Sequence, residues 1–402
     1  MNRSRRAEES NAEIAMKPIP YARQSIAEGD VQAVVESLRS DWLTQGPVVP
    51  AFEQKVADYC GARYAVAVNS GTSALHLACL ALGLSPGDFL WTSPLTFVAS
   101  ANCARMCGAG VDFVDIDYRT GNMSINFLSE KLRKAEKTGT LPKIVIPVHY
   151  AGQSCLTREI HSLSQRYGFS IIEDASHALG GEYLDTKVGS CRYSDVSVLS
   201  FHPVKIITSG EGGMVLTNSE TTERTLRRLR SHGITREAVD MEQVPHGPWY
   251  YEQIDLGYNY RMTDLQAALG LSQTERLDTF LARRRSIARR YTEDLRDFPL
   301  FLPFKHPDTR SAWHLYVIRL CLGAIGKTRQ AVFASLQNAG INVNVHYIPV
   351  HTQPYYQRLG FGWGSFPVAE KFYAEALSLP VYPDLTEEEQ GFVVERLGEA
   401  LG

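Results

Sequence analysis

The sequence predicts an α/β protein, with a mainly parallel sheet covered by helices and a smaller α+β domain at the C-terminal end. Three observations carry this. From residue 63 onward, short β-rich runs alternate with stretches of helical spacing. Several runs end in small or polar residues where the next helix opens, as βα units do. At 402 residues the chain exceeds what one compact core organises, which predicts a large domain over 16–265 and a small one over 266–402.

YAVAV (64–68) reads as the first strand, and GTSALHLACLALG (71–83) as a helix closed by glycine. FLWTSP (89–94) is a strand, and FVASANCARMCG (97–108) a second helix ending on glycine. VDFVDID, KIVIPVHY, FSIIEDAS and VSVLSFH follow as strands, with SINFLSEKLRKAEK and TREIHSLSQRYG as intervening helices, and MVLTN (214–218) completes a seven-stranded set. Residues 237–250, with His246, Gly247 and Pro248, read as a loop. TDLQAALGLSQTERLDTFLARRRSIARRYTEDL (263–295) reads as one long helix bridging to the small domain. There VIRLCL and INVNVHYI read as strands, RQAVFASLQNAG and TEEEQGFVVERLGEAL as helices.

Composition narrows the function. Lys+Arg 41 against Asp+Glu 44 gives a formal charge of −3, without the basic excess of a nucleic-acid binder. The seven cysteines are scattered and form no CxxC, so neither a metal site nor a disulfide framework is expected, and reduced thiols suit a cytoplasmic protein. Cys103 and Cys107, four apart on a helix, read as buried thiols. No apolar run is long enough for a transmembrane helix. The opening MNRSRRAEESNAEIA lacks the apolar core of a signal peptide, so residues 1–15 read as a disordered extension.

Ligands of parallel α/β sheets sit at the carboxyl ends of the strands. After YAVAV come Asn69, Ser70, Gly71, Thr72 and Ser73, whose small size leaves helix N-terminal amides open to a phosphate. Alone, this is an ordinary helix cap. After FSII come Glu173, Asp174, Ala175, Ser176 and His177, where an acid either caps the turn or holds a cation. In SFHPVKIITS, Lys205 is boxed by Pro203, Val204, Ile206 and Ile207. It is either a snorkelling surface lysine or a desolvated amine fit to form a Schiff base. Together the three match the needs of pyridoxal 5′-phosphate: an amide cradle for phosphate, a carboxylate for the ring nitrogen, an amine for the aldehyde. Phe97 either covers a ring face or belongs to the core.

At these residues the sequence resembles the sugar aminotransferases of the DegT/DnrJ/EryC1/StrS family, over residues 17 to 400. The matching blocks are TQGPVVPAFE, NSGTSALHLA, SPLTFVASAN, EDASHALGGEY, SFHPVKIITSGEGGM, LGYNYRMTDLQAALG and VNVHYIPVH. The resemblance implies the fold-type I (aspartate aminotransferase-like) architecture and pyridoxal phosphate as cofactor. It implies that Lys205 is the Schiff-base and proton-shuttling lysine, that Asp174 pairs with the ring nitrogen, and that His177 flanks the ring. Gly71, Thr72, Ser176 and Ser200 would complete the cofactor site, and Asn259 would reach the phosphate in the partner subunit of a homodimer with shared sites.

Within the family the chain most resembles the subgroup that aminates C4 of a UDP-linked keto-deoxy-N-acetylhexosamine for pseudaminic acid. The blocks MKPIPYARQSI, DWLTQG, EDASHALG and GPWYYEQIDLGYNYR carry that likeness. It implies substrate contacts by Tyr21, by Asp41, Trp42, Leu43 and Thr44, and by His346, Tyr347, Ile348 and Pro349, with Gly71, Ser200 and Asn259 shared, and L-glutamate as donor. Rival readings are another nucleotide-sugar transaminase (at C3, or on a dTDP- or GDP-sugar), a sugar deoxygenase, a non-catalytic regulator and a nicotinamide dehydrogenase. Family deoxygenases replace the lysine by histidine, whereas Lys205 is present; no GxGxxG follows a strand.

Overall fold

The computed structural model describes residues 17–402, so the expected extension 1–15 lies outside the described residues. A short strand β1 (Ile19–Pro20) and two helices, α1 (Glu28–Arg39) and α2 (Val48–Cys60), lead in. The alternating region then runs β2 (Tyr64–Val68), α3 (Gly71–Ala81), β3 (Phe89–Thr92), α4 (Ala99–Met106), β4 (Gly110–Phe113), α5 (Ile125–Thr138), β5 (Ile144–Ile146), α6 (Thr157–Tyr167) and β6 (Ser170–Asp174). A hairpin of β7 (Glu182–Tyr183) and β8 (Thr186–Lys187) precedes β9 (Val196–Ser200) and β10 (Gly213–Thr217).

Seven of these strands form one sheet in the order β2-β10-β9-β6-β5-β3-β4. Only β10 runs antiparallel to its neighbours, β2 and β9; no helix intervenes between β9 and β10 to carry the chain back across the sheet. Side chains alternate between faces, as strand geometry requires. Val66, Val68, Ile144, Ile146, Ile172 and Val198 pack on one face with Leu75, Leu77 and Cys79 of α3 and Cys103 of α4. Ala65, Ala67 and Leu199 pack on the other with Phe52 of α2. Val145 and Ile171 join Leu128 and Leu132 of α5 there. Cys103 and Cys107 are buried free thiols, as expected.

After β10 come α7 (Glu220–Arg230) and a ribbon of β11 (Ile234–Thr235) with β12 (Glu252–Gln253). The expected single helix over 263–295 is two, α8 (Asp264–Thr274) and α9 (Leu277–Asp294), broken at Glu275–Arg276. Helical spacing did not reveal the break because a distant residue makes it. Buried Asp30 of α1 takes hydrogen bonds from Ser272 Oγ (2.7 Å) and Gln273 Nε2 (2.8 Å) and an ion pair from Arg276. That pairing outweighs continued helix.

The remaining elements are β13 (Leu300–Phe301), β14 (Thr309–Arg310), β15 (Tyr316–Leu320), α10 (Leu322–Ile325), α11 (Arg329–Asn338), β16 (Ile341–Asn342), α12 (Pro354–Gln357), α13 (Pro367–Glu375), β17 (Ala376–Leu379) and α14 (Glu387–Leu401). Their own core joins Tyr291, Tyr316, Ile318, Val332, Leu336, Leu377, Val393 and Leu397, with Ile19 from the other end of the chain. The run INVNVHYI is a strand only at Ile341–Asn342, which pairs in parallel with β1. Past Asn342 the backbone leaves the ladder, and Asn344 to Tyr347 turn into the site. Among the described residues no helix is long and apolar enough to cross a membrane.

Candidate active site

A cavity of about 780 Å³ opens at the carboxyl ends of β2, β6 and β9. Asn69 to Ser73 form one wall, Asp174, Ser176 and His177 the floor, and Ser200 with Lys205 the opposite side. Thr96 and Phe97 come from the loop after β3, and Tyr21, Asn344, His346 and Tyr347 close the site from the C-terminal core.

Helix α3 begins tightly. Ser70 Oγ accepts from Ser73 N–H (3.1 Å), and Ser73 Oγ donates to Asn69 Oδ1 (2.7 Å), so side chains settle the cap. The first amides, including those of Gly71 and Thr72, have no helical partner and are available to an anion. A Cβ at Gly71 would meet Ser200 Cβ at 3.0 Å and Oγ at 3.2 Å, so any side chain here would have to push Ser200 aside where α3 opens against β9. Gly213 likewise lets β10 pass beneath Ser70.

Lys205 sits in a closed turn after β9. Its N–H donates to His202 O (2.9 Å), Ser209 N–H donates to Phe201 O (3.0 Å), and Thr208 Oγ1 donates to the same carbonyl (2.9 Å). Ile206 and Ile207 point into the core and anchor the turn. Lys205 itself is partly open to the cavity, yet protein surrounds it on all other sides. Burial lowers its amine to about 8, against the opposing pull of Asp174.

Asp174 is buried at the end of β6 and accepts from Ser176 Oγ (2.6 Å) and Ser100 Oγ (2.6 Å). His177 is buried and meets the Tyr347 hydroxyl through Nε2 at 3.0 Å, while its Nδ1 has no partner. Burial, then the nearby Lys205, hold its imidazole well below the usual range, so it is neutral. His346 is buried, meets Ser378 Oγ at 2.8 Å through Nδ1, and is lowered to about 3 by burial and then Lys205. Burial, then the Asp174 charge, raise the Tyr347 phenol, which stays protonated.

The structure brings Tyr21, Gly71, Thr72, Phe97, Asp174, Ser176, His177, Ser200, Lys205, His346 and Tyr347 to one cavity. Phe97 is 57% exposed, which places it at the mouth of the cavity and not in the core. Asp41, Trp42, Leu43, Thr44, Asn259, Ile348 and Pro349 do not line it. Asp41 to Thr44 and Ile348 are exposed, Pro349 is buried, and Thr44 bridges to Thr263. Asn259 is exposed, and its carbonyl meets Asn69 Nδ2 at 3.5 Å.

Sequence reading missed His314, Asn344, Thr96 and Ser100. His314 sets its ring 4.3 Å from that of His177, tilted by 46°. Its backbone is fixed by the fully buried Arg284, whose Nη1 donates to the carbonyls of Trp313, His314 and Val381. No local pattern in SAWHLYVIRL marks this. Thr96 and Ser100 lie in TFVASAN, where only the aromatic Phe97 stands out by residue type and small hydroxyl residues do not.

Residues 24–398 match the model of the DegT/DnrJ/EryC1/StrS aminotransferase family. This chain belongs to that family. Among curated family members, the Spore coat polysaccharide biosynthesis protein SpsC of Bacillus subtilis (strain 168) is 41% identical over 94% of this chain and 95% of its own. A UDP-4-amino-4,6-dideoxy-N-acetyl-beta-L-altrosamine transaminase of Campylobacter jejuni is 38% identical over 94% of this chain and 96% of its own. Of solved family structures, Helicobacter pylori PseC, an aminotransferase of pseudoaminic acid biosynthesis, superposes with a TM-score of 0.87 at 30% identity, covering 96% of this chain and 99% of PseC. The fold is therefore that of the pyridoxal phosphate-dependent sugar aminotransferases of the family.

Proposed function

We propose that this protein is a pyridoxal 5′-phosphate-dependent transaminase. It moves the amino group of L-glutamate to C4 of a UDP-4-keto-6-deoxy-N-acetylhexosamine and so gives UDP-4-amino-4,6-dideoxy-N-acetyl-L-altrosamine. The carrying observation is a desolvated amine, Lys205, facing a buried carboxylate, Asp174, in one cavity. The C. jejuni relative's name supports the substrate.

The donor set fits the cofactor. The open amides at Gly71 and Thr72, with Ser200 packed against them, suit its phosphate. Asp174 suits a protonated ring nitrogen, and the unpartnered Nδ1 of buried His177 leaves an imidazole beside the ring site. When bound, pyridoxal phosphate supplies an aldehyde that bonds to amines and a ring that accepts electron density. Phe97 covers the mouth of the site and excludes water. Lys205 Nζ is the acid–base group: it removes the proton from Cα of glutamate and later delivers one to C4 of the sugar. An amine lowered to about 8 holds and releases that proton near neutral pH. Neutral His177 and His346 add no competing positive charge. Tyr21, His346 and Tyr347 orient the sugar nucleotide by hydrogen bonds and ring contact.

The large cofactor-binding domain is 16–265 and the small domain 266–402, in a cytoplasmic homodimer with shared sites. Asn259, exposed and outside its own cavity, reaches the phosphate in the neighbouring site, and Asp41 to Thr44, Ile348 and Pro349 complete the sugar-nucleotide contacts. Exposed Trp42, Val244, Trp249 and Leu256 supply apolar surface for the partner. Product analysis of the reaction with glutamate and the UDP-4-keto sugar tests this reading; an absent 4-amino product overturns it. A second reading is another nucleotide sugar aminated at C3 or C4; the 41% identical B. subtilis relative is named for spore coat polysaccharide biosynthesis and not for pseudaminic acid. A panel of UDP-, dTDP- and GDP-keto sugars separates the two.

A further inference from the structure

Asp174 is gripped from two elements. The turn after β6 supplies Ser176, whose Oγ (2.6 Å) and N–H (3.2 Å) both donate to Oδ1. The first turn of α4 supplies Ser100, whose Oγ donates to Oδ2 at 2.6 Å. Ser100 has no exposed surface and lies behind the cavity wall. In this pair Ser100 Oγ donates and the carboxylate oxygen accepts, so the Ser100 proton goes to Asp174. The lone pair left on Ser100 then takes the proton of Thr96 Oγ1, 2.8 Å away and also buried. Donation thus runs one way, from Thr96 to Ser100 to Asp174. The other acceptor within reach of the Ser100 hydroxyl, Phe97 O, is farther away at 3.4 Å, so the carboxylate at 2.6 Å is the better partner. The start of a helix also favours negative charge beside it.

We propose that Ser100 is a positioning residue for the transamination, with Thr96 securing it. It fixes the plane of the Asp174 carboxylate, so that the acceptor site left over is presented to the cavity. This rests on the reading that Asp174 pairs with the cofactor ring nitrogen. Without Ser100 only Ser176 holds the carboxylate, at Oδ1, so Oδ2 is no longer fixed and its partner in the cavity loses a preorganised acceptor.

The test uses the full-length chain as wild type, Ser100→Ala, Ser100→Thr, Thr96→Val and Asp174→Ala. Each is stripped, titrated with pyridoxal phosphate by its visible absorbance, and assayed for kcat and KM. Ser100→Ala is expected to weaken cofactor binding and lower kcat by about ten- to a hundredfold, the weight of one hydrogen bond to a charged group. KM for both substrates stays within about twofold, because only interactions stronger in the transition state are lost. Ser100→Thr, which keeps the hydroxyl, restores most of the loss, and Thr96→Val gives a smaller loss of the same kind. Unchanged affinity and kcat in Ser100→Ala overturn the proposal, and so does equal damage in Ser100→Ala and Ser100→Thr, which marks packing alone. If Ser100→Ala does not fold, Thr96→Val decides: no change in affinity or kcat overturns it. Asp174→Ala separates the two levels. If it keeps full turnover, the reading of Asp174 itself fails. If it loses turnover while Ser100→Ala does not, only the positioning role fails.

Discussion

His177 Nε2 and the Tyr347 hydroxyl stand 3.0 Å apart, joining the turn after β6 to the segment after β16. The two rings lie close to parallel, at 23°, with centroids 6.0 Å apart. The phenol is held protonated and the imidazole neutral, so the phenol donates and Nε2 accepts. This bond ties the end of the central sheet to the C-terminal core across the cavity.

Tyr347→Phe removes the donor and strands a buried imidazole nitrogen. Urea unfolding is expected to show a loss of about 1–3 kcal/mol, the cost of an unsatisfied buried polar group. Unchanged stability would mean that the nitrogen finds another donor.

Lys205 gives a prediction with a sign. Its folded value, about 8, lies below the unfolded 10.5, so between those values the unfolded chain binds more protons than the native one. Its burial penalty is therefore full below about pH 8 and fades as pH rises toward 10.5. The free-amine fraction rises through the same lower limit. Uptake of pyridoxal phosphate by stripped protein, followed by visible absorbance, should accelerate as pH passes about 8 and then level off. Lys205→Ala should show no such band and no transaminase activity; a normal band in that variant refutes the assignment.

Asp174→Ala should keep the fold and lose about a hundredfold or more in kcat, the usual weight of one preorganised electrostatic partner, because a ring nitrogen without its carboxylate is a poor electron sink. Circular dichroism checks the first part and steady-state rates the second.

Gly71→Ala brings a methyl to 3.0 Å from Ser200 Cβ, where backbone and strand leave little room to yield. Cofactor affinity should fall by about tenfold, as overpacking by one methyl costs about 1–3 kcal/mol. Spectroscopic titration measures it.

The shared-site reading predicts a light-scattering mass near twice 44.8 kDa. Asn259→Ala should then weaken cofactor binding without dissociating the dimer. A fully active monomer contradicts the role given to Asn259.

Much was legible in the chain itself. Short β-rich runs such as YAVAV and VSVLS, each followed by small or polar residues, marked the seven strands of the sheet and put Gly71, Asp174 and Lys205 at its carboxyl edge. Local chemistry suffices there, because strand alternation, caps and tight turns are determined by neighbours in sequence. Tertiary structure alone decided the rest. Helix 263–295 breaks because Asp30 claims Arg276, more than 200 residues away. His314 reaches His177 because Arg284 fixes its backbone, and Ser100 meets Asp174 from another helix. Each is a contact between segments far apart along the chain, set by packing geometry that no local pattern encodes.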